Sequence, residues 1–142
     1  MNLDIKELRG GYGAKLVLDN VDFSIVDGSV VSIIGPNGSG KSTLLKMIGR
    51  VLRPLSGSII LDGASLADYQ TGDLAKMMAM LPQLHQAATS LTVEELVACG
   101  RFPHRRPFGF RCEQDRQAID TALAMTRLQS YRRHAVNTLS GG

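Results

Sequence analysis

The chain has few of the features that secreted and membrane-spanning proteins require. It contains no tryptophan and two cysteines, and none of its apolar runs approaches the roughly 18 residues that cross a bilayer. Its opening residues lack the basic stretch followed by an apolar stretch that marks a signal peptide. A reduced, cytosolic setting is therefore expected, in which Cys99 and Cys112 stay thiols, although their number alone also permits a disulfide.

Strong charge of one sign is also absent. The net charge is +3, and acidic residues are interspersed with basic ones, so nothing in the composition requires a nucleic-acid partner. Eight arginines lie beyond residue 100 and form either a solvated basic surface or a patch facing a partner or an anionic membrane. The 44% hydrophobic content predicts one globular domain with a buried core.

Residues 1–34 carry the patterning of β structure. Leu3 and Ile5 alternate with polar neighbours, and this pattern predicts half-exposed, antiparallel strands. Ser29 to Ile34 is different because apolar side chains fall on both faces, so it predicts the central strand of an α/β sheet. The next amphipathic stretch, Lys41 to Leu52, predicts a helix. The same alternation of apolar and polar residues occurs a second time, and it predicts another half-exposed strand, at Val21, Phe23 and Ile25.

Three short elements are predicted between residues 58 and 82. Ser58 to Leu61 predicts a strand, Leu74 to Met78 a short helix, and Ala79 to Pro82 another strand. The methionines in this segment are interpreted as core residues that fill irregular space. These methionines are Met77, Met78 and Met80.

Residues beyond 83 change to helix and loop. Thr92 followed by Glu95 is a capping-box pattern, which predicts a helix from Val93 to Cys99. A second helix, Glu113 to Arg127, is expected to bury Ile119, Ala122 and Leu123, and to leave Asp115 and Asp120 solvated.

The strongest motif is the glycine-rich segment from Gly35 to Thr43, GPNGSGKST, which matches G-x-x-x-x-G-K-[ST] between a predicted strand and a predicted helix. Backbone N–H groups of such a loop point at phosphate oxygens. Lys41 would then bridge the β- and γ-phosphates of ATP, Ser42 would bind Mg²⁺, and Thr43 would reach the α-phosphate. The alternative is a strand-to-helix turn without a ligand. The candidate ATP-binding residues are Asn37, Gly38, Ser39, Gly40, Lys41, Ser42 and Thr43.

Over its whole length the chain resembles ABC-type ATPases. The landmarks, in order, are Tyr12, the loop at 35–43, Leu81-Pro82-Gln83, and Leu139-Ser140-Gly141-Gly142. The resemblance implies the N-terminal part of an α/β P-loop NTPase of the ABC ATPase fold, with an incomplete central sheet. Residues 1–83 would form the nucleotide-binding β and P-loop part, and residues 84–142 a helical subdomain ending in LSGG.

The resemblance also assigns roles to residues outside the loop. Tyr12 would stack on adenine, and Gln83 would approach the Mg²⁺ or the attacking water. Ser140 and Gly142 would close on the γ-phosphate held by a second copy, because two subunits of this family sandwich two ATP molecules head to tail. Taken alone, Tyr12 would be a surface tyrosine and LSGG a flexible turn.

The segment Gly100 to His104 looks like the version found in importers of ferric siderophores, haem and cobalamin, although it also reads as a proline-rich connector. The implied function is an ATP-binding subunit, peripheral on the inner face of the membrane, that couples ATP binding and hydrolysis to a transmembrane permease. Residues between Gln83 and Leu139 would dock on the permease. The alternatives are a soluble ABC ATPase of translation or DNA repair, disfavoured because residues 84–138 lack sustained heptads, and a nucleotide-binding fragment without activity.

The family's Asp-Glu strand end and its later histidine do not occur within these residues, so no catalytic residue is predicted. The chain alone is expected to bind ATP without hydrolysing it. The apolar strand at 29–34 would lack its later neighbours, and self-association or partial order is expected from that edge.

Overall fold

The computed structural model describes residues 1–81, 90–104 and 112–139. Two compact units are present, Met1–Met80 and Leu81–Gly142. Three residues predicted to lie in the functional site, Gln83, Ser140 and Gly142, fall outside the described residues. The same holds for most of the loop that follows His104.

The first unit contains a four-stranded antiparallel sheet in the order β2-β1-β3-β4. The predicted half-exposed antiparallel strands are therefore confirmed. The first unit also contains the helices α1 and α2, and the second unit contains α3 and α4. The strands are β1 (Leu3–Tyr12), β2 (Lys15–Ile25), β3 (Ser56–Leu61) and β4 (Ala64–Ser65), and the helices are α1 (Lys41–Ile48), α2 (Thr71–Met77), α3 (Val93–Cys99) and α4 (Glu113–Met125).

The core of the first unit lies between the sheet and α1. In β1, Leu3 and Ile5 are buried at alternate positions, and a register irregularity after Ile5 brings Leu8 onto the same face. The α1 side chain that packs deepest is Met47, and any side chain at Gly10 of β1 would overlap its thioether. This close approach lets α1 lie directly on the strand that ends at Tyr12.

The predicted strand at Ser29 to Ile34 is wrong. No strand is assigned there, and Val30 and Ile34 are 97% and 92% exposed. A strand needs a hydrogen-bonded neighbour, and within the described residues none pairs with this segment. The strand predicted at Ala79 to Pro82 is likewise not formed over residues 79–81, and Pro82 lies outside the described residues.

The interpretation of the methionines as core residues is also only partly correct. Met78 packs against the core, whereas Met77 and Met80 are exposed. The helix predicted from Lys41 to Leu52 ends at Ile48, and Arg50 adopts a left-handed backbone conformation that stops it.

The second unit is organised by the facing sides of α3 and α4. Thr92 caps α3 as predicted, because its hydroxyl accepts from the Glu95 N–H while the Glu95 carboxylate accepts from the Thr92 N–H. Among the described residues of this unit, the buried apolar ones are Val93, Ala98, Ile119 and Leu123. Ala122, which was predicted to be buried with them, is only half-buried. Within the described ranges, no helix has the length and apolar content needed to span a membrane.

Asp115 contradicts its predicted solvation. It is 2% exposed, and its Oδ1 accepts from Nε of Arg101 at 2.8 Å while Oδ2 accepts from the Cys112 N–H at the start of α4. The hydrogen bond from Arg101 holds the pKa of Asp115 below its usual value, against the opposing effect of burial. Asp120 is exposed and pairs with Arg132.

We expect Asp115→Asn to lower the urea midpoint of unfolding of the helical unit at pH 7. Because the folded-state pKa is lowered, the stabilisation is complete above the unfolded pKa of about 3.9 and is lost as pH falls through the folded value. The difference between wild type and variant should therefore vanish in strong acid. Circular dichroism measures this, with Asp120→Asn as the exposed control; equal midpoints for wild type and Asp115→Asn at pH 7 would contradict the assignment.

Candidate functional site

The glycine-rich loop has a backbone that only glycine adopts without strain. Gly38 has φ 83°, and Gly40, the residue immediately before α1, has φ 95°. Gly40 is also buried against β2, where an added Cβ would lie 2.6 Å from Cδ2 of Leu18. The loop is therefore fixed to the sheet at the residue where α1 starts.

The Lys41 ammonium folds back over its own loop. Its Nζ donates to the carbonyl oxygens of Gly35 at 2.8 Å and Pro36 at 2.7 Å, and lies 3.5 Å from Oγ of Ser39. These partners are neutral oxygens, and a phosphate oxygen in the same position would bind the ammonium more strongly because it carries charge. The geometry thus aims one cation into the concave side of the loop.

The beginning of α1 adds a second feature that favours an anion. The N–H of Leu44 is the first to bond back along the helix, to the Gly40 carbonyl at 2.9 Å, so the preceding N–H groups have no partner within the helix. The first turn of α1 has no acidic side chain to compete for them. Helix-dipole charge and free N–H groups both favour phosphate here.

The two residues that follow Lys41 differ in their exposure to solvent. Ser42 is exposed, whereas Thr43 is buried and lowers the pKa of Tyr12. Asn37 and Ser39 are exposed on the loop. The predicted contact of Thr43 with an α-phosphate remains a prediction.

Tyr12 ends β1, opposite Lys15 of β2, and its ring is 47% exposed. Its hydroxyl lies 3.4 Å from Nζ of Lys46, and that ammonium lies 5.5 Å from the ring centroid. Hydrogen bonds from Thr43 and Lys46 lower the pKa of Tyr12 from its ordinary value. The aromatic ring is thus attached to α1 close to the phosphate-binding loop.

The protein atoms suit Mg²⁺ only in company with a nucleotide. In the part of the chain that the structure describes, no group of three or more His, Cys, Asp or Glu residues could hold a metal. Ser42 offers one exposed hydroxyl oxygen, and Mg²⁺ commonly combines one or two protein ligands with water and substrate phosphates. Gln83, the other predicted ligand, lies outside the described residues.

Within the first unit the fold brings together Tyr12 and the residues of the loop. It does not place Gln83, Ser140 or Gly142, whose predicted roles remain predictions. Sequence reasoning missed Lys46, although its position three residues after Thr43 puts both side chains on one side of α1.

Gly40→Ala should destabilise the first unit by about 2 kcal/mol or more, because alanine pays for the left-handed backbone and also overlaps Leu18. Gly63→Ala is the matched control. It has φ 84° but open space around the new Cβ, so about 1 kcal/mol is expected. Urea unfolding measures both, and equal losses would show that contact with β2 does not hold the loop.

Comparison with known proteins identifies the family. Residues 18–142 match the ABC transporter family model, and the chain therefore belongs to the ABC transporter family. It is 41% identical over 141 residues to the iron(3+)-hydroxamate import ATP-binding protein FhuC of Bacillus subtilis, covering 99% of this chain and 52% of that protein. It is 37% identical over 147 residues to the ferric enterobactin transport ATP-binding protein FepC of Escherichia coli, covering 100% of this chain and 54% of that protein.

Solved structures agree with this assignment. A dimeric bacterial ABC transporter cassette superposes with a TM-score of 0.79 at 30% identity, covering 98% of this chain and 63% of that chain. A post-hydrolysis state of an ATP-binding cassette with ADP and phosphate gives a TM-score of 0.77 at 29% identity, covering 98% and 63%. The fold is that of the ABC ATPase cassette, as predicted, and the chain spans about half the length of the curated relatives it matches.

Proposed function

We propose that the chain is the ATP-binding part of an energy-coupling subunit of an ABC importer. The observation that carries the proposal is the loop at 35–43, in which Lys41 faces inward beside the free N–H groups of the α1 N-terminus. A triphosphate needs several donors and compensating positive charge in one concave site, and this arrangement supplies both. The Mg²⁺ that accompanies ATP would be held by Ser42 and phosphate oxygens.

The adenine would stack on Tyr12. The tyrosine ring is half exposed and lies next to the helix that begins at the loop, so a nucleotide bound by its phosphates has an aromatic platform within the same unit. Stacking recognises the flat face of a purine and adds affinity without requiring base-specific hydrogen bonds.

Import of a metal chelate is the transport process that the names of the relatives favour. The matched proteins include ATP-binding proteins named for iron(3+)-hydroxamate import, ferric enterobactin transport and hemin import. For this chain we propose a ferric siderophore, haem or cobalamin as the cargo. The chain itself would bind ATP, and the cargo would pass through the permease.

The proposed partners are a second copy of the subunit and the transmembrane permease. In a head-to-tail homodimer, Ser140 and Gly142 of one copy would complete the site built on Lys41 of the other. A cassette similar to this chain is described as dimeric. The subunit would sit in the cytoplasm on the inner face of the membrane through its permease, and no nucleic-acid partner is proposed.

A soluble ABC ATPase of translation or DNA repair remains the alternative, together with a nucleotide-binding fragment that has no transport role. Reconstitution separates them. A transporter subunit should bind to membranes only when its permease is present, whereas the alternatives predict no permease-dependent binding.

Nucleotide binding is tested by titrating the 142-residue chain with a fluorescent ATP analogue and Mg²⁺. Lys41→Ala should weaken binding about tenfold or more, because one charge-assisted hydrogen bond to phosphate is lost. Lys6→Ala is the control. Lys6 is exposed on β1, so this substitution removes the same charge at a position away from the loop. Equal affinity of wild type and Lys41→Ala, or no saturable binding by wild type, would contradict the proposal.

A further inference from the structure

Lys46 is the basic side chain that contacts Tyr12. It is half-buried on α1, with its Nζ 3.4 Å from the tyrosine hydroxyl and 5.5 Å from the ring centroid. No motif in the sequence assigns Lys46 a role. Its cation is therefore placed to act on the tyrosine.

The tyrosine is held at both ends. Its backbone belongs to the β1–β2 hairpin, where it pairs with Lys15, and its hydroxyl accepts a hydrogen bond from Nζ of Lys46 on α1. Thr43 of the same helix is buried, so α1 cannot shift here without disturbing the core, whereas the Lys46 side chain can be replaced. Together these contacts fix the plane in which the ring can meet a ligand.

We propose that Lys46 is a positioning residue for the nucleotide base: its ammonium orients the Tyr12 ring, so that the ring is ready to stack on adenine. The inference rests on the proposed ATP-binding function. A hydrogen bond from the ammonium to the phenolic oxygen restricts movement of the ring, and a ring held before binding loses less freedom when the base arrives. Lys46 thus contributes to the part of the affinity that depends on the base.

A general electrostatic effect of Lys46 would change the affinities for ATP and inorganic triphosphate differently from an effect through the ring. Lys46 lies in the last turn of α1, where a cation also stabilises the helix dipole. A charge acting through the dipole or through long-range attraction would strengthen binding of any polyphosphate, with or without a base. The two explanations therefore differ in how they treat ATP and inorganic triphosphate.

The test compares the affinities of the 142-residue chain for ATP and for inorganic triphosphate, both with Mg²⁺, by isothermal titration calorimetry. Lys46→Met should weaken ATP binding roughly three- to fivefold and leave triphosphate binding within about twofold. Lys46→Arg should retain the wild-type ratio, since a guanidinium can also donate a hydrogen bond to the tyrosine hydroxyl. Lys76→Met, in the last turn of α2, is the matched control and should change neither affinity.

A double-mutant cycle shows whether Lys46 acts through the ring. In a Tyr12→Ala background, Lys46→Met should have no further effect on ATP affinity. Lys46→Leu provides a second neutral variant without a hydrogen-bond donor if Lys46→Met does not fold by circular dichroism. Equal losses for both ligands, additive losses in the cycle, or unchanged ATP affinity in the neutral variants would overturn the inference.

The proposed function and this inference fail in distinguishable ways. If wild type binds neither ATP nor triphosphate, both are overturned. If wild type binds ATP and Lys41→Ala does not, but the neutral Lys46 variants keep the wild-type ratio of affinities, the nucleotide site stands and the role of Lys46 is wrong.

Discussion

The packing of α1 on the antiparallel sheet is the constraint on which the site depends. Gly40, immediately before the helix, has a left-handed conformation and lies against Leu18, and Met47 fills the space that Gly10 leaves open. These two contacts fix both ends of α1 on the first unit. The loop before the helix and the ring of Tyr12 consequently have defined positions relative to each other, because both are attached to that helix.

Local chemistry made much of this predictable. The G-x-x-x-x-G-K-[ST] spacing located the start of α1 at Lys41, because the glycine before the lysine permits the left-handed backbone that leads into the helix. The Thr92–Glu95 pair located the start of α3, because its side chains satisfy backbone N–H groups at the first helical turn. Period-two alternation found β1 for a similar reason, since one face of that strand is buried. These signals depend on neighbours within a few residues, which the sequence displays directly.

The wrong predictions concern interactions between distant residues. Apolar side chains on both faces at 29–34 indicated a central strand, but hydrophobicity cannot supply the neighbouring strand that the ladder requires. Asp115 was expected in solvent because aspartate is usually exposed, and its burial depends on Arg101, 14 residues away. Lys46 was missed because only the folded hairpin brings Tyr12 to α1.

Backbone NMR of the chain during titration with ATP and Mg²⁺ tests most directly whether the loop and the ring form one site. The amides of residues 38–43 and of Tyr12 should shift together and report one dissociation constant, because phosphate and base bind to groups attached to the same helix. Shifts confined to the loop would remove Tyr12 from the site. An absence of shifts in both would contradict nucleotide binding by this unit.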